Sequence, residues 1–197
     1  MRASTRREFV AGPAGRIECA VDQPEGAPRG VALIAHPHPL YGGSLDNKVV
    51  QTLARAFVEL GYQSWRPNFR GVGQTEGVHD EGRGELEDLA AVLNHVKPEK
   101  FVLAGFSFGA ALQAQLAERV KPQRLVLVGV AVTRLSTPKV PGDSLVIHGE
   151  NDETVPLSAV LDWARPQELP VILVPGADHF FHRKLHVLRT IVTANWK

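Results

Sequence analysis

Residues 100–112, Lys-Phe-Val-Leu-Ala-Gly-Phe-Ser-Phe-Gly-Ala-Ala-Leu, decide the reading of this chain. The run at 100–105 (KFVLAG) is short and continuously apolar, as expected of a strand buried on both faces of a parallel sheet. The Ala/Leu/Gln segment at 110–120 reads as a helix that stops at Lys121-Pro122. Between them stands Gly105-Phe106-Ser107-Phe108-Gly109, a G-x-S-x-G pattern in the strand–turn–helix context that gives it meaning. A serine on so sharp a turn needs neighbours without Cβ atoms, because the chain passes close to itself. With seven serines and 18 glycines among 197 residues, chance alone supplies about 0.06 such matches.

Outward from this stretch the same alternation continues. Further apolar runs lie at 30–35 (GVALIA), 62–68 (YQSWRPN), 124–132 (RLVLVGVAV), 144–148 (SLVIH) and 170–174 (PVILV). Residues 7–10 and 16–21, separated by Ala-Gly-Pro-Ala-Gly, read as an N-terminal hairpin. Helical spacing appears at 49–60, 86–96 and 185–192. The predicted order is a hairpin, then β-α-β-α-β-α-β-β-β-α, with no repeat and no low-complexity linker. This describes one α/β domain over residues 1–197. Its three layers are a mostly parallel, doubly wound sheet with helices on both faces. Ligands in such sheets bind beyond the carboxyl ends of the strands, where Ser107 falls.

A serine hydroxyl becomes a useful nucleophile when a base accepts its proton and an acid holds the base in the right tautomer. Of eight histidines, His179 follows the last strand, downstream of Ser107, in Gly176-Ala177-Asp178-His179-Phe180-Phe181, and is the first choice for the base. His182 is its rival, leading into the final helix. His148, at the end of the preceding strand, is expected to order its loop by hydrogen bonding. The acid should come from the loop His148-Gly149-Glu150-Asn151-Asp152-Glu153, and Asp152 is preferred over Glu150 and Glu153. Asp178, adjoining His179 in sequence, should diverge from the ring.

Acyl chemistry also needs backbone N–H groups aimed at the developing oxyanion. One should be that of Phe108, at a helix N-terminus. The other should come from His36-Pro37-His38-Pro39-Leu40-Tyr41-Gly42-Gly43, where the prolines have no N–H. That leaves His38, Leu40 or Tyr41, with His38 preferred. Leu40, Tyr41, Phe106 and Phe180 are the expected substrate contacts, with Phe108 and Phe181 as further candidates.

These motifs, together with His148-Gly149…Asp152…Val155-Pro156, resemble the α/β-hydrolase superfamily. The His36-Pro37-His38-Pro39…Gly42-Gly43-Ser44-Leu45-Asp46-Asn47-Lys48 and Phe69-Arg70-Gly71-Val72-Gly73 stretches are similar to a small bacterial branch related to dienelactone hydrolases and compact carboxylesterases. The resemblance runs from about Phe9 to the end. It implies Ser107 as nucleophile, His179 as base and Asp152 as acid, acting on small carboxylic esters or thioesters. Dienelactone hydrolases carry cysteine as nucleophile, so their particular substrate does not transfer. Acyl transfer with the same triad, or a non-catalytic ligand-binding role, are the alternatives.

Other classes fit less well. The net charge of +1 lacks the basic excess that holds a protein to nucleic acid. No stretch approaches about 18 consecutive apolar residues, so no membrane span is expected. The polar start, 1–8, does not read as a signal peptide. Cys19 is the only cysteine and is expected to behave as a small apolar strand residue, which fits a cytoplasmic setting. Arg70-Gly71-Val72-Gly73-Gln74-Thr75-Glu76-Gly77 misplaces the third glycine of a dinucleotide fingerprint and follows the wrong strand. His36-x-His38 and the trio His179, His182 and His186 lack the partners of a metal site. No cofactor and no metal are expected, and the expected partner is a small-molecule ester. The connection 133–143 carries Pro138, Pro141 and Gly142, and is too short and broken for a lid.

Overall fold

The computed structural model describes residues 5–196; Met1–Ser4, half of the polar start weighed as a leader, and Lys197 lie outside the described residues. Eight strands form one sheet in the order β1-β2-β4-β3-β5-β6-β7-β8. The hairpin β1 (Thr5–Gly12) and β2 (Gly15–Asp22) joins β4 (Gln63–Pro67) through antiparallel pairing. The rest is parallel: β4 with β3 (Val31–Ala35), then β5 (Phe101–Phe106), β6 (Leu125–Val128), β7 (Leu145–Gly149) and β8 (Val171–Val174). The three-layer, mostly parallel α/β architecture is therefore as expected.

Helices α1 (Lys48–Glu59) and α5 (Leu185–Ala194) cover one face. The other carries α2 (Arg83–Val96), α3 (Phe108–Arg119) and α4 (Leu157–Ala164). Each forms for local reasons. In α1, Val49, Val50, Leu53 and Phe57 fall on one buried stripe, and the Asn47 side chain caps the Val49 and Val50 N–H groups. At the start of α2, the buried Glu85 carboxylate accepts from the Asp80 and Gly82 N–H groups, at 2.9 Å each.

Two expectations need correction. The predicted order has no helix between the last two strands, yet α4 stands there; Leu157, Val160, Leu161 and Ala164 keep helical spacing, but over only eight residues, of which Val160 and Ala164 are buried. The run 124–132 is not one strand. β6 ends at Val128 because Gly129 adopts φ 52°, and Val130 and Ala131 continue as buried loop beneath the site.

The β6–β7 connection contains no helix or strand, so no lid rises over the carboxyl ends of the sheet. Among the described residues, no helix is long and apolar enough to cross a membrane. Cys19 is buried in β2, where burial, reinforced by Glu8 and Glu18, pushes its thiol up to about 12, so it stays protonated.

The 68–82 loop that begins like a dinucleotide fingerprint is fastened to the body of the fold. Arg70 reaches both Asp88 oxygens at 2.8 Å, and the Glu18 carboxylate accepts from Asn68 and the Gln74 N–H at 2.9 Å.

Candidate active site

Ser107 joins β5 to α3 with φ 55° and ψ −115°, a conformation costly for a residue with a Cβ. The surroundings over-determine it. Its N–H donates to Val128 O at 2.9 Å, and its carbonyl accepts from Ala110, Ala111 and Ala131. The flanking glycines are required by close approach. A Cβ on Gly105 would lie 2.5 Å from Gly109 O, and one on Gly109 would lie 2.4 Å from His36 O.

Ser107, His179 and Asp152 come together in one chain of hydrogen bonds. The Ser107 hydroxyl donates to His179 Nε2 at 3.0 Å, and His179 Nδ1–H donates to Asp152 Oδ2 at 2.7 Å. The carboxylate partner sets the ring tautomer. Asp152 is itself anchored, since its Oδ1 accepts from the Thr154 and Val155 N–H groups at 2.9 and 2.8 Å. The three residues are 8 %, 5 % and 6 % exposed, and the Asp152 side chain itself is fully buried.

The rival residues are placed elsewhere. His182 and Asp178 pair with each other at 2.6 Å on the surface. Glu150 is exposed and accepts from the Gly176 N–H at 2.7 Å, tying the two loops together. His148 orders its loop as expected, donating from Nε2 to Val155 O at 2.9 Å, with the same nitrogen 3.6 Å from Asp152 Oδ2. Burial pushes its pKa below the ordinary histidine value.

His36 is not a ligand but a strut between loops. Its Nδ1–H donates to Pro37 O at 2.6 Å and its Nε2 accepts the Phe69 N–H at 2.9 Å. Full burial lowers its pKa to about 3, so it stays neutral. Among the described residues, no three His, Cys, Asp or Glu side chains are grouped to hold a metal ion.

The choice among His38, Leu40 and Tyr41 narrows on hydrogen-bond grounds. The Leu40 N–H donates to His38 Nδ1 at 3.2 Å and the Tyr41 N–H to His38 O at 3.1 Å. The N–H groups of His38 and Phe108 have no acceptor among the described residues. Leu40, Tyr41 and Phe180 are strongly exposed at the rim, at 70 %, 75 % and 45 %.

Phe106 is a correction. Expected as a substrate contact, it is fully buried, because strand alternation turns it into the core, and its ring lies 4.8 Å from that of His179. Phe181 is likewise core and Phe108 nearly so. Gly129 was not foreseen at the site. A Cβ there would stand 3.4 Å from the His179 ring, and a glycine interrupting an apolar run was the available signal.

With this geometry in hand, comparison with known families matches residues 38–141, over half of the chain, to the family described as alpha/beta hydrolase fold. The chain belongs to the α/β-hydrolase family. This α/β-hydrolase is similar to an alpha-beta serine hydrolase homologue from Coxiella burnetii, with 38 % identity and a TM-score of 0.91 over 98 % of this chain and 97 % of that one. It is equally similar to XC6422 from Xanthomonas campestris, described as a serine hydrolase without lid. There the identity is 38 % and the TM-score 0.90, over 99 % of this chain and 94 % of that one. The protein RP471 of Rickettsia prowazekii (strain Madrid E) is 33 % identical, over 89 % of this α/β-hydrolase and 82 % of its own length.

Proposed function

We propose that this α/β-hydrolase is a serine esterase that cleaves small carboxylic esters or thioesters through an acyl-enzyme, with no metal or organic cofactor. The observation that carries the reading is the hydrogen-bond chain from Asp152 through His179 to Ser107, ending on a strained turn. Ser107 Oγ attacks the carbonyl carbon while its proton passes to His179 Nε2, and Asp152 stabilises the imidazolium. The two acceptor-free N–H groups, of Phe108 and His38, are assigned to the oxyanion. The tetrahedral intermediate collapses, and the leaving alcohol or thiol departs with the proton from His179. Water, deprotonated by the same nitrogen, then attacks the acyl-enzyme. Ser107 recovers its proton as the acid is released.

The substrate's size is argued from the lidless rim. Each methylene gains about 0.8 kcal/mol only where it is truly buried, and Leu40, Tyr41 and Phe180 enclose little. Short acyl chains are therefore expected to be preferred, with kcat/KM falling beyond roughly six carbons and no jump in rate at the micellar limit. The experiment is a panel of esters, thioesters, lactones and amides, run beside an organophosphate probe read by mass spectrometry. Turnover of short esters with one phosphonyl group on Ser107, insensitive to chelator, is the expected result. An unlabelled serine with no turnover would defeat the proposal.

A further inference from the structure

One side of the Ser107 turn is ringed by groups that can carry positive charge. The Ser107 carbonyl accepts from the Ala131 N–H at 3.3 Å, and the Arg134 N–H donates to Ala131 O at 3.1 Å. The exposed Arg134 guanidinium stands 5.8 Å over the Tyr41 ring. Tyr41 packs on His38 at 4.8 Å between centroids, and His38 returns to Phe108, beside the serine, also at 4.8 Å. His79 lies 4.8 Å from the His38 ring on its other flank. The chain of contacts thus begins and ends at the Ser107 turn.

The neutralising acid in this ring is buried out of a ligand's reach. Glu85 lies fully beneath His79, with Oε1 2.7 Å from His79 Nδ1, and its oxygens are occupied by the Asp80 and Gly82 N–H groups. None of the ion pairs among the described residues involves Arg134, whose only aromatic partner is the exposed Tyr41. An unneutralised guanidinium over an exposed ring at the mouth of a site is suited to grip an anionic oxygen group.

We propose that Arg134, with His38 and His79 behind it, forms a subsite for an anionic group, so that the preferred esters carry a carboxylate or phosphate near the scissile bond. The inference rests on the esterase reading for its choice of substrate, but the subsite itself does not need turnover to be seen. The groups facing His38 are His79, Arg134 and Glu85. Burial first, then His79 and Arg134, lower its pKa, against the opposing Glu85. A bound anion must therefore raise it.

The test compares kcat/KM for monoethyl succinate and 2-(butyryloxy)ethyl phosphate with that for neutral ethyl pentanoate. The anionic-to-neutral ratio should exceed about ten in at least one arm, which also tells carboxylate from phosphate. It should fall at least tenfold in Arg134→Gln and far less in Arg134→Lys. Lys121→Gln, a charge removed at the far end of α3, should move it less than twofold. A ratio at or below one, an equal loss on both substrate types in Arg134→Gln, or the same drop in Lys121→Gln would overturn the subsite while leaving the esterase intact. Independently of turnover, succinate or inorganic phosphate should raise the His38 pKa in an NMR titration, and less so in Arg134→Gln. No rise with either anion overturns the subsite even in a protein that cleaves nothing.

Discussion

Two histidines three residues apart each meet a carboxylate at nearly the same distance. His179 meets Asp152 at 2.7 Å with side-chain exposures of 6 % and 0 %, whereas His182 meets Asp178 at 2.6 Å with exposures of 71 % and 45 %. The distance is the same and the physics is not. In water-like surroundings an ion pair of this kind contributes about 0–1 kcal/mol, because solvent competes for both partners and the side chains stay free to turn. Partial burial works against the charge on Asp178, but bonds from the His182 ring and N–H still hold its pKa below the ordinary value. In the buried pair every degree of freedom is spoken for. Asp152 is tied at its other oxygen, and the His179 ring lies 4.8 Å from Phe106 and 5.2 Å from Phe180. What sets the buried pair apart is the fixing of both partners and a serine hydroxyl at the far nitrogen.

The sharpest way to break this contrast is to remove each histidine in turn. His179→Ala and Ser107→Ala should each lower kcat by 10⁴-fold or more, and the double variant should lose little further, since the residues act as a unit. His182→Ala should stay within about threefold. Equal losses in the two histidine variants would reverse the assignment. The acids give the second comparison. Asp152→Asn should cost about 10⁴ in kcat through the wrong ring tautomer, with circular dichroism unchanged. A near-normal Asp152→Asn enzyme would move the role to Glu150 or Asp178.

Proton linkage sharpens the same point at the level of stability. An unfolded histidine takes up a proton below about pH 6.5, while folded His36 does so only near pH 3 and folded His148 below its ordinary value. Between those limits the unfolded chain binds more protons, so stability falls as pH drops through 6.5. The stability gap between wild type and His36→Asn should shrink by about 2 kcal/mol from pH 7 to pH 5, measured by urea unfolding. His148→Gln should behave likewise, more weakly. A gap independent of pH would mean that these rings take up protons in the fold as readily as in the unfolded chain. The smallest effect belongs to the surface pair, where Asp178→Ala should cost no more than about 1 kcal/mol, read as a small shift in urea midpoint.

The parts legible in sequence were those with a local cause. The G-x-S-x-G turn could be read because its strand–turn–helix context is local and Gly105 is demanded by Gly109 four residues on, although Gly109 itself answers to His36 at the end of a distant strand; the parallel strands could be read because both their faces are buried. The helix α4 is missing from the sequence reading although Leu157, Val160, Leu161 and Ala164 keep helical spacing, because eight residues make only about two turns and the pattern is too short to stand out. Phe106 was misread because an aromatic beside the serine looks like a pocket wall until the strand's direction is known.

By itself, then, the sequence determined the α/β layering and the sharp serine turn, which follow from short-range sterics and hydrophobic period, while Asp152 and His179 were singled out by their places after the last strands. The tertiary structure decided which acid meets which imidazole, since Asp152 and His179 are 27 residues apart and Asp178 stands next to His179 in the chain. It also decided that, of the His38, Leu40 and Tyr41 N–H groups, that of His38 has no acceptor among the described residues, and that Arg134 reaches Tyr41. Those outcomes depend on loops converging at the carboxyl ends of five parallel strands, and no local propensity encodes where separate loops meet.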